Sequence, residues 1–121
     1  MNVIKTSIDG VLIVETDVFC DHRGYFTETY NKPKYEALGI TNDFVQDNMS
    51  FSAQKGTLRG LHWQNPPYAQ AKLVSCSKGK DIDVAVDIRK GCPLWDSRFL
   101  WSSVQKNIVN SLFFAALHRA F

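Results

Sequence analysis

Ile82, Val84, Val86 and Ile88 recur at every second position, with Asp81, Asp83, Ala85 and Asp87 between them. A period of two predicts a strand with one apolar face and one face carrying aspartates. Val11-Leu12-Ile13-Val14 is a short apolar run just after Gly10, and it predicts a second strand. Tyr25 to Tyr30 mixes aromatic and β-branched residues after the turn Asp21-His22-Arg23-Gly24, which predicts a third. Gln70 to Ser77 predicts another, centred on Leu73 and Val74. From Asp43 to Ser52 the chain alternates, with Phe44, Gln46 and Asn48 on one side and Val45, Asp47 and Met49 on the other. Gly56 and Gly60 bracket a further short segment. One brief helix is expected over residues 33–38, where Asn31 supplies a cap, Pro33 a start and Gly39 a stop. Many short strands with frequent turn signals predict an all-β fold: a sandwich, jelly roll or small barrel.

Composition narrows this picture. The chain has 121 residues, 45% of them hydrophobic, and a formal net charge of +2. That suits one folded domain and argues against nucleic acid as a partner. There is no apolar run of about 18 residues, so no membrane span is expected. Met1 to Gly10 carries Lys5 and Asp9 and lacks a signal-peptide pattern. Cys20, Cys76 and Cys92 are few and widely spaced, which suits reduced thiols and a cytoplasmic protein. The chain is uneven, however. Every glycine lies at or before Gly91, and Leu94 to Phe121 contains no Gly, Pro or Glu.

The most informative stretch for chemistry is Gly56-Thr57-Leu58-Arg59-Gly60-Leu61-His62-Trp63-Gln64. With a bend at Gly60, Arg59 and His62 are able to face one cavity. Histidine suits general acid–base work near neutral pH. Arginine suits bidentate capture of phosphate or carboxylate. A surface arginine beside a structural histidine fits the same local pattern. Lys72 shares a strand face with Gln70 and would stabilise developing negative charge if aimed inward; a solvated strand lysine is the alternative. Arg23, Phe26 and Glu28 flank a turn and a strand, with Phe26 and Glu28 pointing one way. Gln46 and Asn48 share a face, and an inward polar pair needs hydrogen-bond partners that a ligand would supply. His22, His62 and His118 are scattered, so no metal site is expected.

Five ordered motifs carry a resemblance: Asp21-His22-Arg23-Gly24-Tyr25-Phe26-Thr27-Glu28, Phe44-Val45-Gln46-Asp47-Asn48, Leu58-Arg59-Gly60-Leu61-His62-Trp63-Gln64, Ala69-Gln70-Ala71-Lys72-Leu73-Val74, and Asp83-Val84-Ala85-Val86-Asp87-Ile88-Arg89-Lys90-Gly91. Together they resemble the dTDP-4-dehydrorhamnose 3,5-epimerases, which are cupin-type jelly rolls. The resemblance implies a dTDP-4-keto-6-deoxy sugar as substrate, proton removal and return at carbons 3 and 5, and no cofactor. It implies His62 as the base and Lys72 as the group that steadies the enolate oxygen. It implies Arg59 as a contact to the diphosphate, and Arg23, Phe26, Glu28, Gln46 and Asn48 as nucleotide- and sugar-site positions. It also implies a homodimer with exchanged N-terminal strands. Family members continue past residue 121, and the proton-donating tyrosine and the aspartate partner of the base histidine lie in that part. A non-catalytic nucleotide-sugar-binding module and another keto-sugar epimerase or isomerase are the alternatives.

Residues 1–91 thus read as the front of an epimerase jelly roll, and residues 92–121 as an atypical tail. Codons permitted for the tail, read one base earlier, restore a family-like sequence, so an out-of-frame origin is expected with a break near Cys92 to Leu94. As written, Val104, Ile108, Leu112 and Ala115 or Ala116 fall at helical spacing. This predicts an amphipathic helix from about residue 103 to 119. Such a helix would replace strands and leave sheet edges exposed to aggregation.

Overall fold

The computed structural model describes residues 1–89 throughout and, beyond them, the backbone of strands over 98–104, 110–114 and 118–120. In chain order the elements are β1 (Asn2–Lys5), β2 (Val11–Glu15), β3 (Val18–Asp21), β4 (Gly24–Thr27), α1 (Lys32–Ala37), β5 (Gly60–His62), β6 (Lys72–Val74), β7 (Lys80–Val86), β8 (Arg98–Val104), β9 (Asn110–Phe114) and β10 (His118–Ala120). Two four-stranded antiparallel sheets, ordered β1-β2-β9-β6 and β5-β10-β7-β8, make the expected jelly roll. A separate hairpin joins β3 and β4.

The run Val11-Leu12-Ile13-Val14 is apolar throughout because β2 is covered on both faces. Val11 and Ile13 pack with Ile8 and with Ala85 of β7, which joins the two sheets. Val14 packs with Tyr35 and Ile40 on the other side, where α1 lies. Each such fully buried side chain contributes roughly 1.5–3 kcal/mol. The helix forms where the pattern predicts it. Asn31 caps it, its side chain accepting from the Lys34 N–H at 3.3 Å. Gly39 then ends it at φ +87°, a backbone setting that disfavours any residue with a Cβ.

β7 places its faces in an unexpected order. Ala85, Asp83 and Asp87 are 0–1% exposed, whereas Ile82 is 52% exposed. The aspartate row, not the isoleucine–valine row, is the deeper one. Asp87 tolerates this because Arg89 grips both its carboxylate oxygens, with contacts of 2.6–3.1 Å. The same guanidinium donates to the Asp9 carbonyl at 3.0 Å, tying the β1–β2 turn to the end of β7.

Two expectations fail. The segment from Asp43 to Ser52 alternates in sequence but forms no strand, and none forms anywhere over residues 41–59. The C-terminal helix is absent from the described residues, since 110–114 and 118–120 are strands. β9 fills the gap between β2 and β6, and β10 the gap between β5 and β7. Pairing on both edges satisfies backbone groups that a helix would leave open on two sheets, and this outweighs a weak helical period. The edges expected to be bare at those places are therefore covered. Cys92 and residues 105–109 and 115–117 of the expected helix lie outside the described residues. Cys20 is exposed and Cys76 buried, both as free thiols.

Candidate functional site

The turn that carries Arg23 is built by Asp21. One of its carboxylate oxygens accepts the Arg23 backbone N–H at 2.8 Å, and the other accepts from the guanidinium at 2.6 and 3.0 Å. The Arg23 guanidinium beside Asp21 holds that carboxyl below its usual value. Gly24, at φ +136°, lets the chain reverse directly into β4. Arg23 and Phe26 both stand exposed on this hairpin. The hairpin is tethered to the first sheet by Thr27, whose hydroxyl donates to the Asp17 carbonyl at 2.8 Å and accepts from Thr16 at 3.0 Å.

Glu28 lies one residue past β4, so the strand alternation that would align it with Phe26 no longer applies. It turns to α1 instead, where Lys34 Nζ donates to its Oε2 at 2.7 Å. That hydrogen bond holds Glu28 below the usual carboxylate range, against an opposing push from partial burial.

Gln46 and Asn48 do share a side, since Gln46 Nε2 donates to Asn48 Oδ1 at 3.1 Å. Both are exposed rather than inward, because no strand pairs with this segment to give it an inner face. Arg59 is half-buried and anchored by donating to Ser52 Oγ at 3.0 Å and to the Phe51 carbonyl at 2.9 Å. The segment thereby folds back on the residue that leads into β5.

His62 and Lys72 belong to different sheets. In one sheet His62 pairs with position 119, which pairs with Ala85, a fully buried position. In the other sheet Lys72 pairs with position 114, which pairs with Val11, also fully buried. Residues level with one another on neighbouring strands share a face, so both candidates lie on the rows that face the space between the sheets. Asp83 is two residues from Ala85 and lies on the His62 row as well. His62 itself is exposed, at the end of the short strand β5.

Gln64 spans the gap. It lies two residues past His62, and its Oε1 accepts from Lys72 Nζ at 2.9 Å. Gln70 accepts from the same ammonium at 2.7 Å, which confirms that Gln70 and Lys72 share a face. A glutamine on the His62 side thus aims the lysine of the opposite sheet. The site as described offers an imidazole, an oriented ammonium, two separate guanidiniums and a carboxylate. That set suits an anionic ligand and a reaction in which a proton leaves carbon next to a polarised oxygen. Among the described residues no cluster of three or more His, Cys, Asp or Glu is placed to hold a metal. Nor is any described helix long and apolar enough to cross a membrane.

Reasoning from the sequence missed Gln64, Asp83 and Lys34. Gln64 had a signal in its i+2 spacing from His62. Asp83 sat in a visible alternation whose buried face was not legible. Lys34 had none, because its partner lies across a turn.

Comparison with known proteins agrees with this fold. The family model described as dTDP-4-dehydrorhamnose 3,5-epimerase matches residues 5–112. The Shigella flexneri protein of that name is 58% identical over 94 residues, covering 77% of this chain and 51% of the relative. A crystal structure of the Bacillus anthracis dTDP-4-dehydrorhamnose 3,5-epimerase, with TDP and pyrophosphate bound, superposes with a TM-score of 0.90 at 41% identity. It covers 98% of this chain and 69% of that one. The Legionella pneumophila dTDP-6-deoxy-D-glucose-3,5-epimerase, in complex with dTDP-4-keto-L-rhamnose, gives a TM-score of 0.91 at 41% identity, with 99% and 64% coverage. The chain spans about half the length of the curated relatives it matches. With a family match over most of its length and the same arrangement of strands, the chain belongs to the dTDP-4-dehydrorhamnose 3,5-epimerase family.

Proposed function

We propose that this chain carries the base side of a dTDP-4-dehydrorhamnose 3,5-epimerase, acting on dTDP-4-dehydro-6-deoxy-D-glucose to give dTDP-4-dehydro-L-rhamnose. The supporting observation is that Gln64, on the His62 side, accepts from Lys72 across the two sheets at 2.9 Å. The 4-keto group acidifies the C–H bonds at carbons 3 and 5. His62 removes a proton, and the electrons move onto the carbonyl oxygen, where the Lys72 ammonium stabilises the enolate charge. A proton returned from the opposite face inverts the centre. Arg59 takes the diphosphate, and Arg23, Phe26, Glu28, Gln46 and Asn48 serve the nucleotide and sugar. The chemistry needs no cofactor. The ligands printed for the Bacillus anthracis and Legionella pneumophila relatives support this substrate class.

Incubation with the 4-keto substrate in deuterated water tests the reading. Deuterium should enter carbon 3 or 5, and His62→Ala should abolish it. Exchange and inversion are scored separately, since removal and return of the proton are different steps. Tight binding with no exchange would replace this reading with a nucleotide-sugar-binding module.

The protein works in the cytoplasm as a homodimer. Support comes from β1, which lies at a sheet edge, and from Val45 and Met49, which are 90–91% exposed on one side of an unpaired segment. Sedimentation of the purified chain tests the dimer. Residues 92–121 are an out-of-frame reading of the family sequence, supported by the shift to a segment without Gly, Pro or Glu after Pro93. The nucleotide sequence decides it: no single-base change near codon 93 restoring the family pattern would end the idea.

A further inference from the structure

The short strand β6 divides its side chains between two clusters. Ala71 and Leu73 pack against the buried cluster on the α1 side. Val74 packs against the other cluster, Ile8, Val11, Ile13 and Ala85, which joins the two sheets. Alternation along the strand therefore places Lys72 with Val74, facing the space between the sheets. The Lys72 ammonium donates to Gln64 Oε1 at 2.9 Å and to Gln70 Oε1 at 2.7 Å. These glutamines stand near either end of the connection that carries the chain from β5 to β6. Between them the chain turns, the Tyr68 N–H donating to the Asn65 carbonyl at 2.9 Å. One ammonium thus fastens both ends of a crossover between sheets. Lysine carries a compact charge on a long flexible stem, so contacts of this kind are what keep it in one place. Both acceptors are amides. An ammonium only donates, so the amide oxygens face it, and neither amide brings a charge that offsets its own.

We propose that Gln64 and Gln70 are positioning residues, an uncharged clamp that holds the Lys72 ammonium where the carbonyl oxygen of the keto sugar gains its charge. The inference rests on the functional reading above and names what keeps the enolate-stabilising group in place. Negative charge grows on that oxygen only as the proton leaves carbon. A cation fixed there beforehand stabilises the developing charge without having to reorganise. The use of amides follows from this. A carboxylate at either position would hold the lysine more tightly, but it would direct the ammonium's charge to the protein and away from the substrate. Each glutamine acts through Lys72 and not on the reacting atoms.

Two measurements on the full chain test this: calorimetric titration with dTDP-glucose, and deuterium entry into the 4-keto substrate at saturating concentration in deuterated water. dTDP-glucose has a hydroxyl at carbon 4 and develops no enolate charge, so it reports on binding and fold alone. Gln64→Ala and Gln70→Ala should each slow exchange about tenfold, while affinity for dTDP-glucose stays within about threefold of wild type. Gln64→Glu is the decisive variant. It keeps an acceptor of the same length, so a purely structural contact would be retained or strengthened and exchange would stay fast. The clamp requires instead that exchange fall at least as far as in Gln64→Ala, because the added charge offsets the ammonium. Exchange and affinity reduced equally in Gln64→Ala would make the residue a binding or folding group and overturn the proposal. Exchange within about twofold of wild type in both Gln64 variants would overturn it too, and leave the functional reading standing. If wild-type protein binds dTDP-glucose but exchanges nothing, or does not bind at all, the functional reading falls and this inference with it.

Discussion

The helix-covered side of the first sheet and the stretch from Phe44 to Trp63 are built on opposite terms. On the first, Val14, Tyr35 and Ile40 are at most 1% exposed. Tyr35 donates its hydroxyl to the Thr29 carbonyl at 2.9 Å, and Tyr30 meets the rings of Tyr35 and Phe44 edge-on at 5.0 and 5.4 Å. On the second, Val45, Met49, Phe51 and Leu58 are 78–91% exposed and no ladder forms until Gly60. Phe44, at the start of this stretch, still packs against the helix-side core. The first region keeps the fold; the second carries Gln46, Asn48, Arg59 and His62. Candidate chemistry thus lies on the part of the chain with the least support of its own.

The comparison breaks most directly at Tyr35. Tyr35→Ala should cost about 3–5 kcal/mol in urea unfolding, because a large ring leaves a cavity between α1 and β2. Tyr35→Phe should cost only about 1 kcal/mol, the share of one hydrogen bond. Burial pushes the Tyr35 hydroxyl up to about 12, so a spectroscopic titration should find it the last tyrosine to ionise. A loss under about 1 kcal/mol for Tyr35→Ala would mean that the helix side is not the stable half.

Arg89→Ala comes next. It strips the chief counter-ion from a fully buried Asp87 and unties Asp9. We expect about 3 kcal/mol, the low end for a buried pair, because the guanidinium is 40% exposed. Arg89→Lys should recover only part, since an ammonium cannot engage both oxygens as a fork.

Acid should act on the hairpin more gently. Asp17, Asp21 and Glu28 are all held below their ordinary values, by Met1, Arg23 and Lys34 respectively. A lowered carboxylate stabilises the fold fully above its unfolded value and loses that share as pH falls through the folded one. The urea midpoint should therefore fall on acidification below the ordinary carboxylate range, and by less in Asp21→Asn. An equal fall in both proteins would remove Asp21 from the account.

The smallest effect sharpens the other half. Val45→Ser and Met49→Ser should change the stability of the single chain by no more than about 0.5 kcal/mol, since neither residue is buried in it. Their effect should appear in sedimentation as weaker self-association. A large loss of stability without a change in association would place these residues in a core.

Short-range signals told the truth wherever the deciding contacts are local. Asn31, Pro33 and Gly39 mark α1 nearly to the residue, because capping and positive φ involve neighbours in sequence. The turn from Asp21 to Gly24 marks the β3–β4 hairpin for the same reason. Gln70 and Lys72 share a face because they are two apart on an extended chain. His62, Lys72 and the other candidate positions were singled out through motifs, but the sheets that carry His62 and Lys72 were not legible.

What the sequence by itself determined is the kind of element and the spacing within it: short strands, one helix, polar pairs at i and i+2. Only the tertiary structure decided which face of β7 is buried, which stretch between Asp43 and Ser52 stays unpaired, and whether residues 110–114 and 118–120 become strands. It also decided that Gln64 reaches Lys72 and that Lys34 reaches Glu28. A period of two defines two faces but not an inside, and a weak helical period yields when two sheets each lack a strand. Those choices depend on partners far away along the chain, and backbone pairing with those partners outweighs local preference.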